Sequence, residues 1–263
     1  EGTSSEEFYQ IYHKFGYDQA VSRASDSLSY VYRLDEKYWL MMLDSCMCEP
    51  VHETGGKLSE ETVAWMKTQL EEAKKQGVTV IPVSHHNLLD ESTLYPEECT
   101  IENTKEVTAL LEAYGVPVYL SGHLHLQRIK KHTSNLNTPG GYGIREIVTS
   151  PLPMAPCQYS ILNWQADGSL SYHTKKVDIA GWAQRYGEED ENLLNFDAYA
   201  DQFLVDVISE QTFKALQSAS KDIKEEMARL LDQYDDIDVV VSQNDDMTFG
   251  ALEAIREAGK TAG

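Results

Sequence analysis

Half of the eight histidines in this 263-residue chain lie at the ends of two apolar runs. His85 and His86 follow the run VTVIPVS, and His123 and His125 follow VPVYLS in the stretch SGHLHLQ. The carboxyl ends of neighbouring strands in an open α/β sheet meet at one crevice, where ligands bind. Neutral imidazole is the commonest nitrogen donor to zinc, manganese and iron. The histidines therefore predict a metal site at that crevice, and Gly122 permits the turn.

The spacing of His123 and His125 favours two adjacent ions over chelation of one. A single residue on a tight turn separates them, so their side chains can point to opposite sides. One histidine at a strand end is usually a solvated loop residue. Two clusters at equivalent strand ends favour a binding site instead.

The elements that must position these histidines follow a β-α-β-α-β order. The helix LSEETVAWMKTQLEEAKKQG has an apolar face at Val63, Met66 and Leu70, a capping Ser59 and a terminating Gly77. Short apolar strands at YWLMMLDS, VTVIPVS and VPVYLS predict an α/β fold with a mainly buried sheet. The later segments GIREIVTS, CQYSILNW and GSLSYHTKKV predict an antiparallel β addition.

The end of the chain has a separate pattern. Helical periodicity returns at NFDAYADQFLVDVISEQTFKAL, and KDIKEEMARLLDQYDD, IDVVVSQ and DMTFGALEAIREAGK predict a small α-β-α C-terminal unit. We place the junction between Ser218 and Lys221, which predicts two domains, 1–218 and 219–263.

The segments VSHHNLL and SGHLHL resemble the last two metal-binding motifs of the calcineurin-like metallophosphoesterases. The strand YWLMMLDS resembles the segment that follows the family's Asn-His-Asp motif. This resemblance spans about residues 25–180 and implies the C-terminal half of the family's sandwich fold. It also implies that His85 and His123 ligate one ion and His125 its neighbour. His86 would then face the substrate as a catalytic group or support the ligands from behind.

The resemblance implies a dinuclear centre of two divalent transition metals, drawn from manganese, iron, zinc and nickel. Two such ions hold a phosphoryl group and generate hydroxide for attack, so the implied substrate is a small-molecule phosphomonoester or phosphodiester. The family's Asp-x-His, Gly-Asp-x-x-Asp and Gly-Asn-His-Asp motifs are absent from this sequence. We therefore expect at most one weakly bound ion and an incomplete or inactive phosphoesterase.

The segment DIDVVVSQNDDMTFGALEAIREAGK resembles part of the periplasmic sugar-binding proteins of the ribose and galactose type. This resemblance covers about residues 220–263 and implies that Asp245 accepts hydrogen bonds from sugar hydroxyls. The alternative is that the acidic residues only cap the following helix. A sugar-binding or structural module is thus the second hypothesis. The joining of two families predicts a truncated or chimeric chain, either engineered or misassembled.

Composition excludes some partners. The net charge of −21 disfavours nucleic acid and anionic membranes, and no apolar run approaches the roughly 18 residues of a membrane span. The N-terminus EGTSSEEFYQ lacks the basic and apolar character of a signal peptide. Localisation stays open between a cytoplasmic and a secreted parent protein, and the sequence does not indicate an oligomeric state.

The remaining candidates have weaker patterns. Cys46 and Cys48 could form a metal or redox pair, but the four cysteines lack zinc-ribbon spacing. We therefore expect the cysteines to be small buried hydrophobic residues. Asp44 ends a strand near the predicted site, where a turn or capping carboxylate is the favoured role.

Overall fold

The computed structural model describes residues 3–48, 53–89, 97–132, 143–165, 167–233 and 245–259. The chain divides into two compact units, Glu1–Val177 (unit 1) and Asp178–Gly263 (unit 2). The sequence predicted a junction between Ser218 and Lys221 instead. Both residues lie inside one uninterrupted helix, Phe196–Gln233, which has no glycine or proline. The helix leaves no linker at the predicted position.

Unit 1 contains a seven-stranded sheet flanked by helices, together with a separate β-hairpin. Its helices are α1 (Ser5–Tyr12), α2 (Glu60–Gln76) and α3 (Thr104–Ala113). Its sheet strands are β1 (Ala20–Arg23), β2 (Tyr30–Arg33), β3 (Tyr38–Met42), β4 (Thr79–Val83), β5 (Val118–Ser121), β6 (Arg128–Lys131) and β7 (Arg145–Val148). The hairpin consists of β8 (Gln158–Trp164) and β9 (Leu170–Lys176).

The seven strands are in the order β1-β2-β3-β4-β5-β7-β6. The four central strands β3, β4, β5 and β7 run parallel, and the outer pairs are antiparallel. This confirms a mixed α/β fold. The segment GIREIVTS, predicted to be antiparallel, is parallel to β5, because the unpredicted strand β6 turns the chain back first. The pairing of β1 with β2 is irregular between Ala20 and Ser22.

Helix α2 follows its sequence pattern. Ser59 accepts a hydrogen bond from the backbone N–H of Thr62 at 2.9 Å, and Gly77 ends the helix with φ 68°. Met66 and Leu70 are buried against the sheet in the same core as Trp39 and Met41 of β3. The predicted cap, end and apolar face are therefore confirmed.

Unit 2 is helical in the residues that the structure describes. It contains α4 (Ile179–Tyr186), α5 (Glu191–Leu194), α6 (Phe196–Gln233) and α7 (Asp245–Glu257). Met227 and Leu231 of α6 pack against Ala251 and Ala254 of α7. The strand predicted at residues 237–243 lies outside the described residues. None of the described helices combines the length and apolar character needed to cross a membrane.

Candidate functional site

His85 and His123 meet at the carboxyl ends of β4 and β5. His85 lies two residues after β4 and His123 two residues after β5. The Nε2 atom of His85 is 2.9 Å from the Nδ1 atom of His123, and the ring centroids are 4.8 Å apart. The backbone joins the same two turns, because the N–H of Gly122 donates to the carbonyl of His85 at 3.0 Å. The parallel sheet therefore brings the two histidine clusters together.

The turn after β5 has an unusual backbone. His123 has φ 61° and His125 has φ 56°, in the left-handed region that side chains other than glycine seldom adopt. Such a residue costs about 1–3 kcal/mol and is typical of ligand clamps and active sites. Two of them in three residues indicate that the turn is held in place by its surroundings.

His86 is in a different environment from its neighbour, being 3% exposed. The carbonyl oxygen of Thr54 lies 3.0 Å from its Nε2, and the Ser45 hydroxyl lies 2.8 Å from its Nδ1. A carbonyl only accepts, so Nε2 carries the proton and Nδ1 accepts from Ser45. Neither nitrogen is available to a substrate, so this geometry gives no support to the catalytic role predicted for His86. The buried ring connects the turn after β4 to Ser45, which follows β3, and to the Thr54 backbone, so it acts as a buried anchor.

The pKa values of the His85 and His123 imidazoles favour the ligating form. Partial desolvation lowers the pKa of His85 below its ordinary value, and the charges of His86 and His125 lower it further. The pKa of His123 is lowered by desolvation first and then by the other three histidines, with Glu98 opposing them. Both rings are therefore neutral at neutral pH. A neutral imidazole keeps the lone pair that a metal requires.

The described residues do not fit a dinuclear metal centre. Two nitrogens bound to one ion at about 2.1 Å lie about 3 Å apart at a right angle and about 3.4 Å apart in the tetrahedral geometry of zinc. The 2.9 Å between His85 and His123 is the length of a direct hydrogen bond between the two rings and is also compatible with a single ion. Within the described ranges, however, no three His, Cys, Asp or Glu side chains are arranged to hold a metal. His125 is exposed and affects the pKa of both rings without joining such a group. The predicted metal ligands thus amount here to one histidine pair.

Asp44 has hydrogen bonds that explain its role, and the exposure of the four cysteines tests the expectation made for them. The Asp44 carboxylate accepts from the backbone N–H groups of Leu28 and Cys46, each at 3.2 Å, which confirms the favoured turn role. Cys46 and Cys48 are exposed, so the expectation of buried cysteines is wrong for this pair. They lie in the loop that follows β3, outside the packed sheet. Burial holds for Cys99 and Cys157.

Glu146 is a further polar residue at the two histidine turns, and the sequence analysis did not identify it. Its side chain is fully buried on β7. It accepts hydrogen bonds from the backbone N–H groups of Leu88 and Leu89 and from the Ser121 hydroxyl, at 2.6, 2.9 and 2.7 Å. The sequence could have indicated this residue, because a single carboxylate stands among the apolar residues Ile144, Ile147 and Val148.

A cleft of about 1230 Å³ opens beside His85 in unit 1. Its walls include the aromatic residues Tyr9, Tyr17 and Tyr30 and the acidic Asp26 and Asp44. The cleft is large enough for a small molecule to approach His85.

Asp245, the predicted sugar ligand, is the first residue of α7 in unit 2. A sugar-binding role for this residue stays a prediction.

Residues 178–239 match the family model for the C-terminal domain of cyclic nucleotide phosphodiesterase. The match begins at the first residue of unit 2 and ends shortly after α6. It overlaps residues 220–239 of the segment that resembles sugar-binding proteins, and the comparisons give that resemblance no support.

Among solved structures, the chain is similar to a dimetal phosphatase from Danio rerio, at 14% sequence identity and a TM-score of 0.36. The alignment covers 49% of this chain and 51% of that chain, so it spans about half the length of the phosphatase. No curated protein matches the chain.

Proposed function

We propose that unit 1 supplies part of the metal site of a phosphoesterase, with His85 and His123 as ligands of one divalent ion. The observation that carries this proposal is the 2.9 Å separation of His85 Nε2 and His123 Nδ1 at two adjacent parallel strand ends. Their surroundings lower the pKa of both rings, which favours the neutral form that metal ligation requires. The motifs VSHHNLL and SGHLHL, which resemble those of calcineurin-like metallophosphoesterases, agree with this assignment.

The proposed reaction is phosphoester hydrolysis, and the proposed substrate class is phosphodiesters. The match of residues 178–239 to a domain named for cyclic nucleotide phosphodiesterase makes a cyclic nucleotide the first substrate to test. Glu98 is near enough to raise the pKa of His123, but no carboxylate of the described residues joins the histidine pair in a group that could hold a metal. Ligands of the kind that the family's missing motifs carry would have to come from another polypeptide segment. In this proposal the chain alone binds one ion weakly and does not hydrolyse phosphoesters.

The proposal is tested by metal titration and hydrolysis with the same preparations. Calorimetric titration of the purified chain with Mn²⁺ or Zn²⁺ at neutral pH should show at most one weak site. The site should be lost in His123→Ala and retained in His173→Ala, a matched control on the exposed face of β9. Binding should also weaken towards about pH 5, because a protonated imidazole cannot ligate.

Hydrolysis is measured with cyclic AMP and an aryl phosphodiester. The chain with metal should give no more product than metal alone. Addition of a polypeptide with the Asp-x-His, Gly-Asp-x-x-Asp and Gly-Asn-His-Asp motifs should produce turnover that depends on His123. Metal affinity unchanged by the loss of both His85 and His123 would exclude the site. Turnover by the chain alone would show that its ligand set is complete.

A further inference from the structure

The two histidine turns share a connection besides their backbone hydrogen bond. Glu146 lies in the middle of β7, opposite Tyr119 of β5 in the sheet register. Its Oε1 atom accepts from the Leu88 N–H and the Ser121 hydroxyl, and its Oε2 atom accepts from the Leu89 N–H. Leu88 and Leu89 follow His85 by three and four residues, whereas Ser121 precedes His123 by two. One carboxylate therefore binds both turns.

Asn87 extends this connection. Its side-chain amide donates to the Ser121 hydroxyl at 2.9 Å and to the Gly122 carbonyl at 3.1 Å. The Ser121 hydroxyl thus accepts from Asn87 and donates to Glu146, which fixes its orientation. The network runs from the turn after β4, through Ser121, to the residue just before His123. Within the described residues, the Asn87 NH₂ group, the Ser121 hydroxyl and both Glu146 oxygens have partners, whereas Asn87 Oδ1 is buried without one. The satisfied part of a buried network is rigid, because each group in it has one good arrangement.

Burying the Glu146 carboxylate without hydrogen-bond partners would cost desolvation free energy. Burial raises the pKa of Glu146 above its ordinary value, while the three hydrogen bonds and the charge of Arg128 act in the opposite direction. An apolar side chain on this strand would avoid the cost of burying a carboxylate. It would leave the N–H groups of Leu88 and Leu89 without an acceptor.

We infer that Glu146 is a positioning residue that fixes the His85 and His123 turns at ligating distance, an inference that rests on the proposed metal site for its functional meaning. The geometric part, that the carboxylate holds both turns, is independent of any metal. Groups that orient metal ligands from behind typically contribute about 10- to 100-fold in metal affinity. The Glu146 carboxylate hydrogen-bonds to the backbone of Leu88 and Leu89 and to the Ser121 hydroxyl, so its effect acts through the two turns.

The test uses the full chain and four variants. Glu146→Gln keeps the shape but places an NH₂ group against at least one of the three donors. Glu146→Asp keeps the charge on a shorter stem, and Ser121→Ala removes one donor while leaving the carboxylate. Leu70→Ala is the control for lost stability, because Leu70 lines a cavity with Val80 and Val116 at the opposite end of the strands.

The first readout is amide hydrogen exchange without metal. Exchange in peptides that contain Leu88 and Leu89 should accelerate by about tenfold or more in Glu146→Gln, the effect of losing a buried hydrogen bond to a charged group. Peptides around His123 should also accelerate, while peptides of β3 should change no more than in Leu70→Ala. Glu146→Asp should restore part of the protection. Rates in both turns that match those of Leu70→Ala would overturn the inference.

The second readout is the affinity for Mn²⁺ or Zn²⁺. It should fall about 10- to 100-fold in Glu146→Gln, less in Glu146→Asp, and not at all in Leu70→Ala. Unchanged affinity in Glu146→Gln would overturn the inference even if the metal site is correct. If the wild-type chain binds no metal, the proposed function fails, and hydrogen exchange still decides whether Glu146 holds the turns. If Glu146→Gln does not fold, the same comparison is made with Glu146→Asp and Ser121→Ala.

Discussion

Gly56 lies against the imidazole ring of His86, and this contact gives a prediction at the scale of single residues. A Cβ atom at position 56 would lie 2.3 Å from Cγ of His86, and the ring is held by Ser45 and Thr54. We expect Gly56→Ala to lower the free energy of unfolding by about 1–3 kcal/mol, the usual cost of overpacking. The measurement is urea denaturation at constant m-value.

The matched control is Gly55→Ala. The nearest atom to a Cβ atom there is the flexible Met47 Cε at 3.2 Å, so a small effect is expected. Equal stability of the two variants would contradict the description of His86 as a fixed anchor.

The sequence could predict that His85 and His123 converge, because both follow apolar strands that a parallel sheet places side by side. It could not separate His85 from His86, which are adjacent in the chain. The distinction depends on Ser45 and Thr54, more than thirty residues away along the chain. Glu146 was missed for a related reason, since the role of a carboxylate within a short strand depends on donors in distant parts of the chain, here the turn after β4 and Ser121 of β5.

At the scale of elements, the N-terminus of α2 gives a second prediction. The hydroxyl of Ser59 accepts from the N–H of Thr62 and is also bonded to Asp26. Ser59→Ala should destabilise unit 1 by about 1 kcal/mol, because a helix N–H loses its acceptor. Thermal or urea unfolding followed by circular dichroism measures the loss.

Thr68→Ala is the control, since Thr68 is exposed on the same helix and its hydroxyl bonds only to the carbonyl of Ala64. Thr68→Ala should be neutral or slightly stabilising, because alanine has the higher helix propensity. A Ser59→Ala variant as stable as Thr68→Ala would rule out the cap as a source of stability.

Helices and strands were predictable from the sequence where apolar residues recur regularly and capping or turn residues mark the ends. Helix α2 has a capping serine, an apolar face and a terminal glycine, and β4 and β5 are apolar runs of strand length. Strand β6 was not predictable, because Arg128, Lys130 and Lys131 give it the composition of a loop. The direction of β7 depends on β6, so the error in one strand became an error in the pairing of the next.

The whole molecule consists of two units with separate apolar cores. The clusters around Trp39 and Met66 and around Ile81 and Ile147 lie within residues 1–177, and the cluster around Met227 and Ala254 lies within unit 2. A fragment of residues 1–177 should therefore fold with a cooperative transition and keep the slow amide exchange of Leu88 and Leu89. The measurement is circular dichroism with hydrogen exchange.

A second fragment, residues 1–218, distinguishes this boundary from the one predicted from sequence. Its midpoint of unfolding should equal that of residues 1–177, because residues 178–218 belong to the other unit. A folded 1–218 fragment beside an unfolded 1–177 fragment would place the boundary at the later position. The sequence favoured that position because it treated the segment KDIKEEMARLLDQYDD as a new helix, whereas residues 221–233 continue α6.

The two outer strands of the seven-stranded sheet affect how the protein behaves at high concentration. An exposed edge strand can template pairing with another chain, and it does so best when it is long, flat and uncharged. Strand β1 is four residues long and irregularly paired, and β6 is also four residues long and has three basic side chains. A strand arriving from another molecule would meet a kinked edge on one side and would have to desolvate lysines on the other. We therefore expect both edges to be poor templates for growth of the sheet into fibrils, although neither is joined to a barrel.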